Sequence, residues 1–319
     1  MKKIVFINNT WLFVAVLLAC FAFSTGVRYQ QFETWKQTPA AYFVGERPMM
    51  TTLDAPYWLR WAREYNEGTY GQKGALSNYP KNTETFQDRT IPQKFRDPPK
   101  ISSTSSSSSQ PSSSGAREIN IRNVPLLSSI IALLAPFFNY NYYLTGTLLV
   151  PVFASLFILP LGIYFFRIGV PASGLLGGLI GTFSGAYYMR SSIGRIDTDM
   201  LNLFFPILTA LLILLASGAK RERSVLLYSA IAGLSLFIFY WWYSKAAFTL
   251  AFFVVFILSL FVNKIRFRTI LLSSILFVLC AQPVNIISGM GSALGQLSRY
   301  YYIEKEDLST IIDNITASA

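Results

Sequence analysis

Histidine is absent from the 319 residues, and cysteine occurs only twice, at Cys20 and Cys280, both inside apolar runs. The first absence excludes a histidine-ligated metal and a Cys-His nucleophile, and the scarcity of cysteine leaves no disulfide framework. Any metal must therefore sit on oxygen ligands. Charge is also scarce: 13% of residues are charged and 52% hydrophobic, whereas a soluble domain carries charge on about a quarter of its residues. That balance points to a bilayer. The net charge of +11 does not indicate a nucleic-acid partner, because the basic residues gather between apolar segments, where they set membrane orientation.

What is present is a series of apolar stretches long enough to cross a hydrocarbon core, which takes roughly 17–25 residues per helix. Seven are predicted, near Trp11–Val27, Tyr143–Phe166, Pro171–Tyr188, Met200–Ala219, Ser224–Tyr243, Ala246–Val262 and Thr269–Ile287. The chain is thus expected to be an all-α polytopic membrane protein. The spans hold almost no ionisable residues, which argues against a transporter or channel. Lys2 and Lys3, Arg167, Lys220 to Arg223, and Lys264 to Arg268 fall at every second crossing, so the N-terminus is expected inside. Leu17-Leu18-Ala19-Cys20 resembles a lipoprotein signal, but the apolar run continues through Val27.

This topology leaves a long outer first loop, 28–142, and an outer tail, 288–319. Within the loop, the serine-rich run 102–114 reads as a solvated linker. Pro125–Phe137 is apolar but short and reads as an interfacial helix. Tyr240-Trp241-Trp242-Tyr243 reads as an outer interface anchor, since amphipathic rings prefer the headgroup level.

Acidic residues number only 16, so their placement is informative. Asp54 stands in Thr52-Leu53-Asp54-Ala55-Pro56-Tyr57-Trp58, and Asp197-Thr198-Asp199 stands at the mouth of the fourth span. Alternate residues of an extended segment point the same way, so Asp197 and Asp199 are placed to offer carboxylates to one hard cation such as Mg²⁺ or Mn²⁺. The plainer alternative is a helix cap at Asp197 or Asp199, with Arg195 neutralising the other, and a helix-start residue at Asp54 ahead of Pro56.

The two acidic segments together resemble those of the oligosaccharyltransferase catalytic subunits. In that family an acidic residue in a context like Asp54-Ala55-Pro56-Tyr57-Trp58-Leu59-Arg60 follows the first helix. A short outer loop then carries a pair like Asp197-Thr198-Asp199-Met200-Leu201, with an arginine upstream at the place of Arg190. The resemblance implies a C-type glycosyltransferase-like helical bundle in the cell membrane, with its active side outside the cytoplasm. It implies Asp54, Asp197 and Asp199 as ligands of Mg²⁺ or Mn²⁺, and Asp54, Asp197 and Arg190 as catalytic residues. The partners implied are a lipid-linked oligosaccharide, membrane lipid, and an acceptor polypeptide bearing Asn-x-Ser/Thr.

Family members run longer and carry a soluble outer domain with a Trp-Trp-Asp-Tyr-Gly motif, which these residues lack. The expectation is that 1–319 correspond to an N-terminal transmembrane region. A family glutamate in a Thr-Ile-x-Glu context has a faint counterpart in Thr310-Ile311-Ile312-Asp313, which makes Asp313 a further candidate. Another polyprenyl-lipid-dependent glycosyltransferase is the competing reading.

Overall fold

The computed structural model describes residues 10–70 and 124–292, together with Leu294, Gly295 and Ser298. Lys2, Lys3, the serine-rich run 102–114 and Asp313 lie outside the described residues.

Helix α1 runs from Thr10 to Gln37, ten residues past the predicted end at Val27. Its buried residues explain the extension. Phe13, Leu17, Ser24, Arg28, Phe32 and Trp35 recur at helical spacing, so one stripe continues through a segment whose average composition is polar. The helix stops before Pro39, which opens the short α2, Pro39–Tyr42. A small hairpin follows, β1 (Phe43–Val44) paired antiparallel with β2 (Arg47–Pro48). Then comes α3, Ala55–Asn66, with Pro56 in its first turn.

After residue 124 the chain is helical almost throughout. Helix α4 spans Leu126–Leu134 and tightens into a 3-10 turn, Ala135–Phe138. It lies on α3, with Leu127, Ile131 and Ala132 buried, and Ser128 Oγ donates to the Trp58 carbonyl at 2.9 Å. The predicted second span is α5 (Tyr142–Ser155) and α6 (Ile158–Arg167), separated by a short break after Pro151 and before Pro160. The predicted third span is interrupted. Helix α7 ends at Phe183 and α8, Gly185–Arg190, starts after Ser184, whose ψ of 133° is not helical. Helix α7 approaches α6 closely: a Cβ at Gly174 would lie 3.1 Å from Gly162 Cα.

The remaining helices are α9 (Phe204–Ser217), α10 (Glu222–Trp242), α11 (Ala246–Val262) and α12 (Phe267–Ala281). Helix α10 packs against both α9 and α12. A further helix, Pro283–Ser292, leaves α12 at an 86° bend. Among the described residues, four helical stretches are long and apolar enough to cross a bilayer: Thr10–Gln37, Tyr142–Arg167, Thr198–Ser217 and Glu222–Trp242. The bent pair makes a fifth, while Pro171–Phe183 and Ala246–Val262 are shorter apolar helices. The architecture is an all-α polytopic membrane fold.

Helices in lipid gain little from burying apolar faces, so packing and polar pairs must hold them together. Ser24 Oγ lies 2.7 Å from Ser155 Oγ and 2.8 Å from Thr182 Oγ1, joining α1, α5 and α7. Thr209 Oγ1 and Ser235 Oγ, 3.1 Å apart, join α9 to α10. Such pairs contribute roughly 0.6–2 kcal/mol each.

The extension of α1 also corrects the reading of its charges. Arg28, assigned to the outer loop by sequence, is a fully buried residue of a candidate membrane-spanning helix.

Candidate functional site

Asp54 and Asp197 line one cavity of about 960 Å³. One wall comes from α3, with Tyr57, Trp58 and Trp61; the other comes from the end of α10, with Tyr240, Trp241 and Trp242. Gln282, at the bend after α12, also faces it and holds φ at +66°, a strained value for a residue with a side chain. The two acidic segments are docked onto each other by backbone. Thr51 N–H donates to the Gly194 carbonyl at 3.0 Å. Gly194 adopts φ +78°, and a Cβ there would meet Met49 O and the Trp35 ring at 2.7 Å. Glycine is required for this close approach.

Asp54 sits at the N-cap position of α3, and its carbonyl accepts from Tyr57 and Trp58 N–H. Its carboxylate makes no capping hydrogen bond. The helix-start reading thus accounts for the backbone at Asp54 and not for its charge.

Asp197 is extended, with φ −150° and ψ 164°, and precedes a 3-10 turn, Thr198–Leu201. Its Oδ1 accepts from Thr198 N–H at 2.6 Å and from the Thr198 hydroxyl at 3.4 Å. It is therefore a cap and a cavity residue at once. Burial pushes its carboxyl above the ordinary range, the Thr198 N–H works against this, and the nearby charges of Asp199 and Asp54 raise it further.

Because the backbone coils from Thr198 onward, the alternation expected of an extended Asp-Thr-Asp segment fails. Asp199 faces other partners: Oδ2 lies 3.6 Å from Arg190 Nη1, and Oδ1 accepts from Asn202 at 3.2 Å. Arg190, and not Arg195, is the cation beside it. Arg195 Nε is buried without a hydrogen-bond partner.

Among the described residues, no three acidic side chains form a group placed to hold a metal ion. The donor chemistry fits a hard cation in part. Asp54 and Asp197 supply oxygen from two sides of one cavity, and Mg²⁺ commonly takes only one or two carboxylates, completing its shell with water and phosphate.

Sequence reasoning missed the part played by the tryptophans. Trp242 is 4% exposed, and its Nε1 donates to the Thr198 carbonyl at 2.7 Å; Trp241 Nε1 donates to the Val124 carbonyl at 2.8 Å. Instead of simply anchoring a membrane interface, both rings wall the cavity, and Trp242 also holds the acidic turn. Ring propensity for interfaces gave the plainer reading, and only the long-range partners reveal the other.

The family model described as "Oligosaccharyl transferase STT3, N-terminal" matches residues 123–304, more than half of the chain. The match contains Arg190, Asp197 and Asp199 and stops short of Asp54. No curated protein matches the chain. The buried turn that carries the acidic pair thus falls within the matched region, and the chain belongs to the oligosaccharyl transferase STT3 family.

Proposed function

We propose that the cavity between α3 and α10 is where a glycan passes from a polyprenyl-(di)phosphate carrier to the asparagine of an Asn-x-Ser/Thr segment, with Mg²⁺ or Mn²⁺ assisting. The observation that carries this reading is that Asp54 and Asp197, from segments far apart in sequence, line one aromatic-walled cavity. Its volume, about 960 Å³, lies near the top of the range of ordinary ligand sites, giving room for a sugar ring beside a peptide.

In the reaction, the asparagine amide nitrogen bonds to the anomeric carbon as the bond from that carbon to the carrier phosphate oxygen breaks, inverting the centre. The amide proton must leave, and a carboxylate at Asp54 or Asp197 is the group on hand to accept it. Arg190 is exposed enough to leave Asp199 and meet phosphate oxygens, for which a guanidinium is well shaped. Asp54 and Asp197 would hold a divalent metal, with Asp199 the further candidate ligand, and the metal would supply positive charge to the departing phosphate.

The cavity side is proposed to face outside the cell membrane. Support comes from the opposite ends of α6, α9 and α10, where Arg167, Lys220 and Arg221 gather, as expected of a cytoplasmic edge.

The test is transfer of glycan from a lipid-linked donor to an Asn-x-Thr peptide by membranes carrying the full chain, with Mn²⁺ supplied. Asp197→Ala should lower the rate by more than about a hundredfold. Wild-type transfer by that variant would falsify the assignment of this cavity.

A further inference from the structure

The last third of α1, beyond Val27, faces the loop that carries Arg190 and the acidic pair, and its central contact is a cation with no acid beside it among the described residues. Arg28 is fully buried. Its Nε donates to the Ser191 carbonyl at 3.2 Å. Nη1 donates to Ser24 Oγ at 2.9 Å and Thr182 Oγ1 at 2.7 Å. Nη2 donates to the Thr182 carbonyl at 2.7 Å and Ser191 Oγ at 3.1 Å. Every acceptor is neutral, and the rings of Phe183, Tyr187 and Tyr188 surround the guanidinium at 5.1 to 5.9 Å. Removing an arginine from water without a counter-ion is costly even when its donors are satisfied. An apolar residue would pack α1 against α7 at lower cost.

What the arginine adds is a hold on both ends of one loop. At the first end, Ser191 directly follows Arg190, and two of the five hydrogen bonds fall on it. At the second end, Tyr187 lies beside the guanidinium, and its hydroxyl is shared between the Ala154 carbonyl at 2.9 Å and the Met200 carbonyl at 3.2 Å, one residue past Asp199. The next turn of α1 continues the contact. Gln31 Oε1 accepts from Ile193 N–H at 3.2 Å, and Phe32 and Trp35 cluster with Ile193.

We propose that Arg28 is a positioning residue for the transfer site, a buried cation that seats the loop from Arg190 to Met200 on α1 and so keeps Arg190, Asp197 and Asp199 in place. The role of the loop in transfer rests on the function proposed above; the seating itself does not. A guanidinium presents five donors in a fixed plane and spans Thr182 and Ser191 together, which the single ammonium of lysine does not.

Ile193 is fully buried against α1, so a thiol placed there reports lifting of the loop. In the full chain with Cys20→Ala and Cys280→Ala, Ile193→Cys is labelled by a maleimide in membranes, with Arg28 intact or changed to Lys or Met. Arg28→Met should label about tenfold faster, as expected when a local opening becomes easier, and Arg28→Lys should fall between. On the background without the probe thiol, Arg28→Met should lower kcat by about a hundredfold with KM for the acceptor peptide changed less than about twofold, because it displaces reacting groups without touching substrate.

Unchanged labelling overturns the proposal, and so does faster labelling with undiminished kcat while Asp197→Ala, run alongside, is inactive. If Asp197→Ala transfers normally, the transferase reading of the cavity fails by itself, and labelling still judges Arg28. Should Arg28→Met not accumulate folded, Ser191→Ala removes one of the five acceptors. Labelling must then rise by a smaller factor, and an unchanged rate counts against the proposal.

Discussion

Trp242 Nε1 and the Thr198 carbonyl, 2.7 Å apart, tie the end of α10 to the turn that separates the two aspartates. The indole is nearly fully buried, so losing the donor removes a shielded hydrogen bond and leaves the Thr198 carbonyl only the bond of its own 3-10 turn. Trp242→Phe is expected to cost about 0.5–1.5 kcal/mol, read as a lower thermal midpoint in detergent, and to reduce transfer. Trp241→Phe loses a bond to Val124 instead and should leave transfer closer to wild type. Equal effects of the two changes would restore the reading of this pair as an interface anchor.

Asp197 makes a prediction about pH. Burial and neighbouring acids raise its affinity for protons in the folded state, so the protonated form stabilises the fold. That contribution is complete below the ordinary carboxylate value and is lost as pH rises through the raised one. At pH 7.5 the ionised group therefore opposes folding. Asp197→Asn should raise the thermal midpoint there by no more than about 2 °C, since a half-exposed carboxylate is screened, and the difference should shrink toward pH 4. Transfer should be lost in the same variant. A more stable protein with normal transfer would leave Asp197 as a cap alone.

Asp54 separates charge from capping. A lost helix cap costs about 0.5–2 kcal/mol, but the Asp54 side chain makes no cap bond. Asp54→Ala should therefore keep its thermal midpoint while transfer falls by more than about a hundredfold. A clear drop in the midpoint, with transfer falling in proportion to folded protein, would assign the residue to folding.

Gly194→Ala tests the docking of the two acidic segments. A residue with a side chain at φ +78° costs about 1–2 kcal/mol by backbone strain alone, and the added methyl would press on Met49 O and the Trp35 ring. The expected result is a lower midpoint together with loss of transfer, because the Thr51 bond to Gly194 is displaced. A silent substitution would show that the contact yields easily.

Much of the scaffold was legible because apolar runs announce themselves: Ala246–Val262 has the same bounds in sequence and structure. The acidic loops were legible because acids are rare in this chain. Helix α1 was cut short in the reading because Arg28 to Gln37 is polar on average, although Phe32 and Trp35 keep the helical spacing that a period count would have followed. The directions of Asp199 and Trp242 were not legible at all. A 3-10 turn of four residues decides the first, and a partner 44 positions away decides the second.

The oxygens that receive Arg28 lie 154 and 163 residues further along the chain, apart from Ser24 in its own helix. At about 5–20 residues per second of synthesis, roughly 8 to 33 seconds separate the making of the cation from the making of its partners. During that interval α1 carries a charge that must stay near water, which its place in the last three turns of the helix permits. The contacts that bury the C-terminal end of α1 around Arg28 therefore complete only after α7 and the Ser191 loop have been made.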